Sequence, residues 1–240
     1  MTTSGDTPFE GDYRHPVEAE FDTAQEQAHA LLVELRNSFA PTYLTLISII
    51  QGVLLGLTFQ LLAERWPELG ADRATLFLVA NNVVMIVLVW NEYRMGSYMF
   101  RWVPYLLDAV IPFAVGGIQA ALVLTAARPT AWLAWLATFD LAGIVAFENM
   151  YRRSAAEQRN AFVLEHNRRY RRLNPAACLI LSCTCWALLA GHAATRTSPG
   201  MATWLLVTGL NIAFLVRGEL NWQHVIAAAR RVAAVGPQRR

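Results

Sequence analysis

Lysine is missing from the chain, and all 20 of its basic residues are arginine. Without a lysine amine no retinal Schiff base can form, which excludes a rhodopsin-type photoreceptor. Cysteine is scarce. Cys178, Cys183 and Cys185 share one apolar block, with no CxxC and no histidine at ligand spacing, and read as small packing residues rather than a redox or metal site. HExxH, GxSxG and phosphate-loop sequences are missing too. Intramembrane proteolysis, ATP hydrolysis and zinc chemistry therefore lack visible machinery, and neither an enzyme nor a cofactor is expected. Charge is sparse, at 16% of residues and a net +2, which argues against a nucleic-acid partner. The first forty residues lack a basic segment followed by a short apolar core, so no cleaved signal peptide is expected.

What the chain has instead is apolar surface. Hydrophobic residues make up 55%, against the roughly 45–50% of soluble domains, and they fall into continuous blocks between charged connectors. Six blocks read as bilayer spans: Thr42 to Leu62, Ala74 to Trp90, Trp102 to Thr125, Thr130 to Phe147, Pro175 to Ala194 and Met201 to Val216. The expected fold class is an all-α polytopic membrane protein, its lipid bilayer a partner from the outset.

Arginine sets the orientation, because basic connectors resist translocation. With the amino terminus inside, 16 of the 20 arginines are cytoplasmic, and only Arg65, Arg73, Arg128 and Arg196 lie outside. Both termini are thus expected on the cytoplasmic face of a bacterial inner membrane. The outer connectors are short and carry Trp66-Pro67, Arg128-Pro129 and Ser198-Pro199-Gly200, as tight turns should.

The domains follow. Residues 1–40 form an acidic cytoplasmic segment, in which Val17, Phe21, Ala24, Ala28, Leu31 and Leu35 recur at heptad spacing as an amphipathic helix. Residues 41–220 form the membrane domain, with a long basic connector at 148–174, and residues 221–240 a basic tail. Seven acids up to Glu26 face seven arginines between Arg152 and Arg172, an opposition that suits docking within or between subunits. Anionic lipid is the competing partner for the connector.

Segments 76–94, 134–152 and 205–223 superimpose without gaps, aligning Asn82 with Asp140 and Asn211, and Tyr93 with Tyr151 and Trp222. The helix before each begins near a proline, Pro41, Pro104 or Pro175, where a missing N–H is harmless. Three tandem helical hairpins around a pseudo-threefold axis would bring Asn82, Asp140 and Asn211 into one layer near the bilayer midplane.

Asp140 is the leading candidate. A carboxyl group at the bilayer centre costs on the order of 3 kcal/mol, so it calls for a partner or a task; the competing role is a hydrogen bond to Asn82 and Asn211. Asp108 is a second acid, placed where Pro112 leaves the residue 108 carbonyl without its helical donor. Glu92, Glu148 and Glu219 mark the cytoplasmic mouth, as a cation-attracting ring or as partners of Arg152 and Arg217. Gly52 and Gly56, and Cys183, Ala187 and Gly191, are small residues at four-residue spacing that suit close helix packing. No metal site is expected, and His192 reads as interfacial.

The expected function is a channel or small transporter passing a proton or small cation, as a homo-oligomer. Asn82, Asp140, Asn211 and Asp108 would line the pathway. The alternative is a membrane-anchored scaffold or signalling subunit acting through its cytoplasmic helices. A lipid-modifying enzyme, hinted at by Glu148, Arg152 and Arg153, is the third.

Overall fold

A computed structural model describes residues 16–69 and 73–234 of the chain. Seven α-helices and one 3-10 turn make up the fold: α1 (Pro16–Leu69), α2 (Arg73–Met99), α3 (Leu106–Leu124), α4 (Pro129–Ala155), the turn Gln158–Asn160, α5 (Ala161–His166), α6 (Arg168–Thr195) and α7 (Met201–Ala234). No strand occurs among the described residues. Six of these helices, all but α5, are long and apolar enough to cross a membrane. Their outward faces are greasy: Val53, Val145 and Ile180 are 67%, 61% and 63% exposed. In water such a belt would be an aggregation hazard, and in hydrocarbon it is the natural solvent contact.

Two expected helix starts are not starts. Helix α1 runs unbroken through Pro41, and α6 begins seven residues ahead of Pro175 and passes through it. A proline inside a helix strips the carbonyl four residues earlier of its N–H partner. Here those carbonyls belong to Asn37 and Arg171, both exposed, where water can satisfy them. Of the three prolines named in the repeat, Pro104 alone stands at a helix start, just before α3. Helices α1 and α7 likewise run across the expected boundaries at residues 40 and 220. The acidic side chains ahead of Glu26, and with them most of the docking surface read from the sequence, lie outside the described residues. Of the heptad seam, Ala28 and Leu31 are exposed and Leu35 half-buried.

Helix α2 lies at the centre. It packs on α1, α7 and α3 and touches α4, while α1 also packs on α3 and α3 on α4. The two arms of the expected third hairpin lie apart: α6 runs mainly along α4, and α7 along α2. A central helix has few lipid-facing positions, so polar side chains on it find partners in neighbouring helices. Asn81 donates to Thr208 Oγ1 on α7 at 2.6 Å, and Asn82 Oδ1 accepts from Trp132 Nε1 on α4 at 3.0 Å. The Met85 carbonyl accepts from Gln119 on α3 at 3.4 Å, whose own Oε1 takes the Gln51 amide of α1 at 3.0 Å.

Where α1 and α3 cross, Gly116 admits Ile50: a Cβ at residue 116 would sit 2.6 Å from Ile50 Cγ2. Ile50 is branched at Cβ and stiff, so the helices themselves must move apart. Gly116→Ala is expected to lower stability by about 1–3 kcal/mol, measured as a fall in the unfolding temperature of detergent-solubilised protein; an unchanged transition would mean the crossing is loose.

The apolar core comes in three parts. At the end carrying the short turns, Leu78, Leu122, Leu133, Leu136, Val207 and the edge-to-face pair Trp132 and Trp204 (centroids 6.0 Å apart) fill the bundle. At the arginine-rich end, Phe39, Met95, Phe100, Trp102, Tyr151 and Val225 form a second cluster. Leu88, Val89, Val115, Leu181 and Phe214 lie in a third. The arginine-rich end is fastened by Asn160, whose amide receives the Arg101 N–H at 2.9 Å and donates to the Arg101 and Ser154 carbonyls at 2.8 and 2.9 Å. Asn160→Ala strands those backbone groups and is expected to cost about 1–3 kcal/mol, with faster proteolysis of the connector as the readout.

Candidate functional site

A cavity of about 100 Å3 occupies the half of the bundle toward the arginine-rich end, and all six long helices contribute to its wall. Helix α4 supplies Asp140, Gly143, Phe147 and Met150, spaced three, seven and ten residues along one helical face. From α2 come Val89, Tyr93 and Ser97, and from α7 Asn211 and Phe214, also at four- and three-residue steps. Several water molecules would fit such a volume.

Asp140 sits in this wall at 4% exposure, and its Oδ2 has no hydrogen-bond partner. No ion pair or hydrogen bond joins it to Asn82 or to Asn211. Asn211 leans away, its amide donating to Asn81 Oδ1 at 3.5 Å. A carboxyl so placed can hold a proton, or bind a cation that enters the cavity, with no competing donor to displace.

Of the other cavity acids, Asp108 is fully engaged, while Glu92 has a cation nearby and an Oε1 without a hydrogen-bond partner. Asp108, the third residue of α3, accepts from the Tyr105 N–H at 2.9 Å and from Trp102 Nε1 at 3.0 Å through one oxygen, and from the Asn149 amide at 3.4 Å through the other. It holds the start of α3 as an acid in a first helical turn does. Glu92 pairs with Arg217 at 3.9 Å, and both are largely buried. Arg217 also donates to Asn174 Oδ1, and its guanidinium carbon lies 4.1 Å from the centre of the Phe214 ring.

Of the residues singled out from sequence, the cavity wall thus gathers Asp140, Asn211, Asp108 and Glu92. Asn82 stands apart from it, held by Trp132. Glu148 pairs with Arg152 at 2.9 Å, and Glu219 with Arg94 at 3.9 Å rather than with Arg217. His192 ties the α6–α7 turn through Thr197 at 3.1 Å and Thr203 at 3.4 Å. The small-residue motifs face outward: Gly52, Gly56, Cys183, Ala187 and Gly191 are all exposed.

Sequence reasoning passed over the aromatic lining, Tyr43, Tyr93, Trp102, Phe139, Phe147 and Phe214. It also missed the pairing of Asn81, rather than Asn82, with α7. The signal was present for Phe147, which lies two turns from Asp140 on the same helical face. Among the described residues no group of three His, Cys, Asp or Glu side chains is placed to hold a metal ion. Comparison of the chain with known protein families, with curated proteins and with solved structures returns no match, so the reading of this cavity rests on its own chemistry.

Proposed function

We propose that the chain is a small transporter, moving a proton or small cation across a bacterial inner membrane through the cavity at Asp140. The observation that carries this reading is an acid in the wall of a space large enough for water, its buried Oδ2 without a hydrogen-bond partner. Ionisable groups at membrane depth mark ion and proton pathways when they face a cavity, because a purely structural acid would be matched to a donor. Support for a carrier over an open pore comes from the turn end of the bundle, where Trp132, Trp204, Leu133 and Leu136 are each at most 1% exposed. Passage past that packing requires the helices to move, as in alternating access. The parted arms of α6 and α7 are compatible with such a movement, and the three tandem hairpins would be its repeating unit. The arginine distribution supports a cytoplasmic location for both termini, which would put the cavity on that side.

The test is reconstitution. Purified protein in liposomes with an imposed pH gradient, or with a potassium or sodium gradient, should dissipate it faster than protein-free liposomes do. If no gradient is touched, the transporter reading is to be dropped.

A second reading has its own observation. Helix α1 is 54 residues long, more than twice the roughly 20 that a bilayer needs. Leu31 on its extension is 56% exposed. A scaffold acting through this segment, as a homo-oligomer or with another protein, would lose its partner when residues 1–37 are deleted and would be indifferent to Asp140. Retained assembly after the deletion counts against it.

A further inference from the structure

We infer that the cavity is built for a compact organic ammonium ion, an alkylated amine or quaternary nitrogen, rather than for a hydrated metal cation. The inference rests on the transporter reading of the same cavity and names its cargo.

A metal cation entering this wall would find too few oxygens. Calcium takes six to eight oxygen ligands and magnesium six at fixed geometry, and stripping hydration water is only repaid when the wall supplies the replacements. Asp108 already receives three donors, Glu92 is matched to Arg217, and the Asn211 amide is turned to Asn81. Asp140 is left as the carboxylate with no cation beside it, and the further wall oxygens without a hydrogen-bond partner, Glu92 Oε1 and the Tyr93 hydroxyl, fall short of a six-oxygen shell. The neighbouring lining is carbon and sulfur: Phe139, Phe147, Phe214, Cys178 and Leu181.

An alkylated ammonium needs what is there. Its charge is carried on carbon as well as nitrogen, so it is held by aromatic ring faces and by a single counter-ion, while its methyl groups are relieved of water by an apolar wall. Two wall residues already hold one organic cation in this manner beside the cavity, since the Arg217 guanidinium lies over the Phe214 ring and is balanced by Glu92. Asp140 has no such cation, and Phe147, with its ring 6.2 Å from that of Phe214, lies on the Asp140 face of α4. Size narrows the class further. At about 100 Å3 the space is smaller than the roughly 150 Å3 cavity that holds benzene in an engineered protein core. Tetramethylammonium, about as bulky as benzene, is therefore the upper bound of the class, smaller methylated ammonium ions sit within it, and long-chain amines are excluded.

The experiment titrates purified full-length protein in detergent by calorimetry, at constant ionic strength, with tetramethylammonium chloride, with sodium chloride, and with tert-butanol as a neutral compound of similar bulk. Saturable heat from tetramethylammonium alone supports the proposal. Binding should weaken about tenfold or more in Asp140→Asn, weaken severalfold in Phe147→Leu, and be retained in Asp140→Glu. No saturable binding of tetramethylammonium, an equal response to sodium or to the alcohol, or unchanged affinity in Asp140→Asn would overturn it. Should Asp140→Asn fail to fold, Phe147→Leu decides. The liposome assay, extended with a tetramethylammonium gradient, separates the two claims: proton, potassium or sodium gradients dissipated by a protein that ignores tetramethylammonium would remove the cargo and keep the transporter, whereas specific binding without flux of any of these ions would keep the site and remove the transporter.

Discussion

Asp140→Asn is expected to cut ion or proton flux in liposomes to about a tenth or less of the wild-type rate, and to leave the protein as stable as before or more so. The two effects follow from one geometry. Asparagine has nearly the shape of aspartate, so packing against Gly143, Cys178 and Leu181 survives. Lost are the charge and the capacity to take up a proton, the only properties a carrier needs at this position. On the stability side, a carboxyl group deep in the membrane costs on the order of 3 kcal/mol, and here no donor offsets that cost at Oδ2. Replacing it by a neutral amide is expected to raise stability by about 1–2 kcal/mol. The opposite pattern, lower unfolding temperature with flux intact, would identify Asp140 as a helix-to-helix tie and end the transport reading. Asp140→Glu, which restores the acid one methylene further out, should recover part of the flux.

Trp132→Ala should be the most damaging single change in the described core. The indole is fully buried, meets Trp204 edge to face and donates to Asn82 Oδ1 at 3.0 Å. Removing it opens a hole in the packed turn end and costs about 3–5 kcal/mol in transfer and cavity terms. It also leaves Asn82 worse off, because the Asn82 amide nitrogen already has no partner. Trp132→Phe, which keeps most of the volume and loses only the N–H, should cost about 1–2 kcal/mol. Thermal unfolding in detergent checks both, and a Trp132→Ala variant within about 0.5 kcal/mol of wild type would show that this region is not the close-packed seal that a carrier requires. The same variant in liposomes should leak protons without an imposed substrate gradient, since the seal on the turn side is then breached.

These two residues show how far a sequence can be read. Asp140 was visible because an acid inside an apolar run has few explanations, and the apolar runs themselves follow from the thickness of hydrocarbon. Its lack of a partner was not visible, because that depends on where Asn211 points. A repeat alignment puts Asn82, Asp140 and Asn211 in register along the chain, but it says nothing about rotation of each helix about its axis. Asn81 and Asn82 are 100° apart around α2, and it is Asn81 that reaches α7 while Asn82 faces Trp132. Pro41 and Pro175 misled for a different reason. A proline reads as a helix start when its surroundings are taken to be uniform, whereas at a membrane boundary water repairs the missing hydrogen bond and the helix continues. The aromatic wall was hidden by abundance: in a chain this rich in Phe, Trp and Tyr, a ring bordering a cavity looks no different from one facing lipid until the helices are assembled.

The unbroken course of α1 has a mechanical consequence. At 1.5 Å per residue it is roughly 80 Å long, continuous from the segment ahead of Pro41, where one backbone hydrogen bond is missing, to Tyr43, which belongs to the cavity wall. A twist or axial push applied at its far end would reach Tyr43 and, two turns on, the Gln51–Gln119 clamp, so a load on that handle would be felt in the chamber.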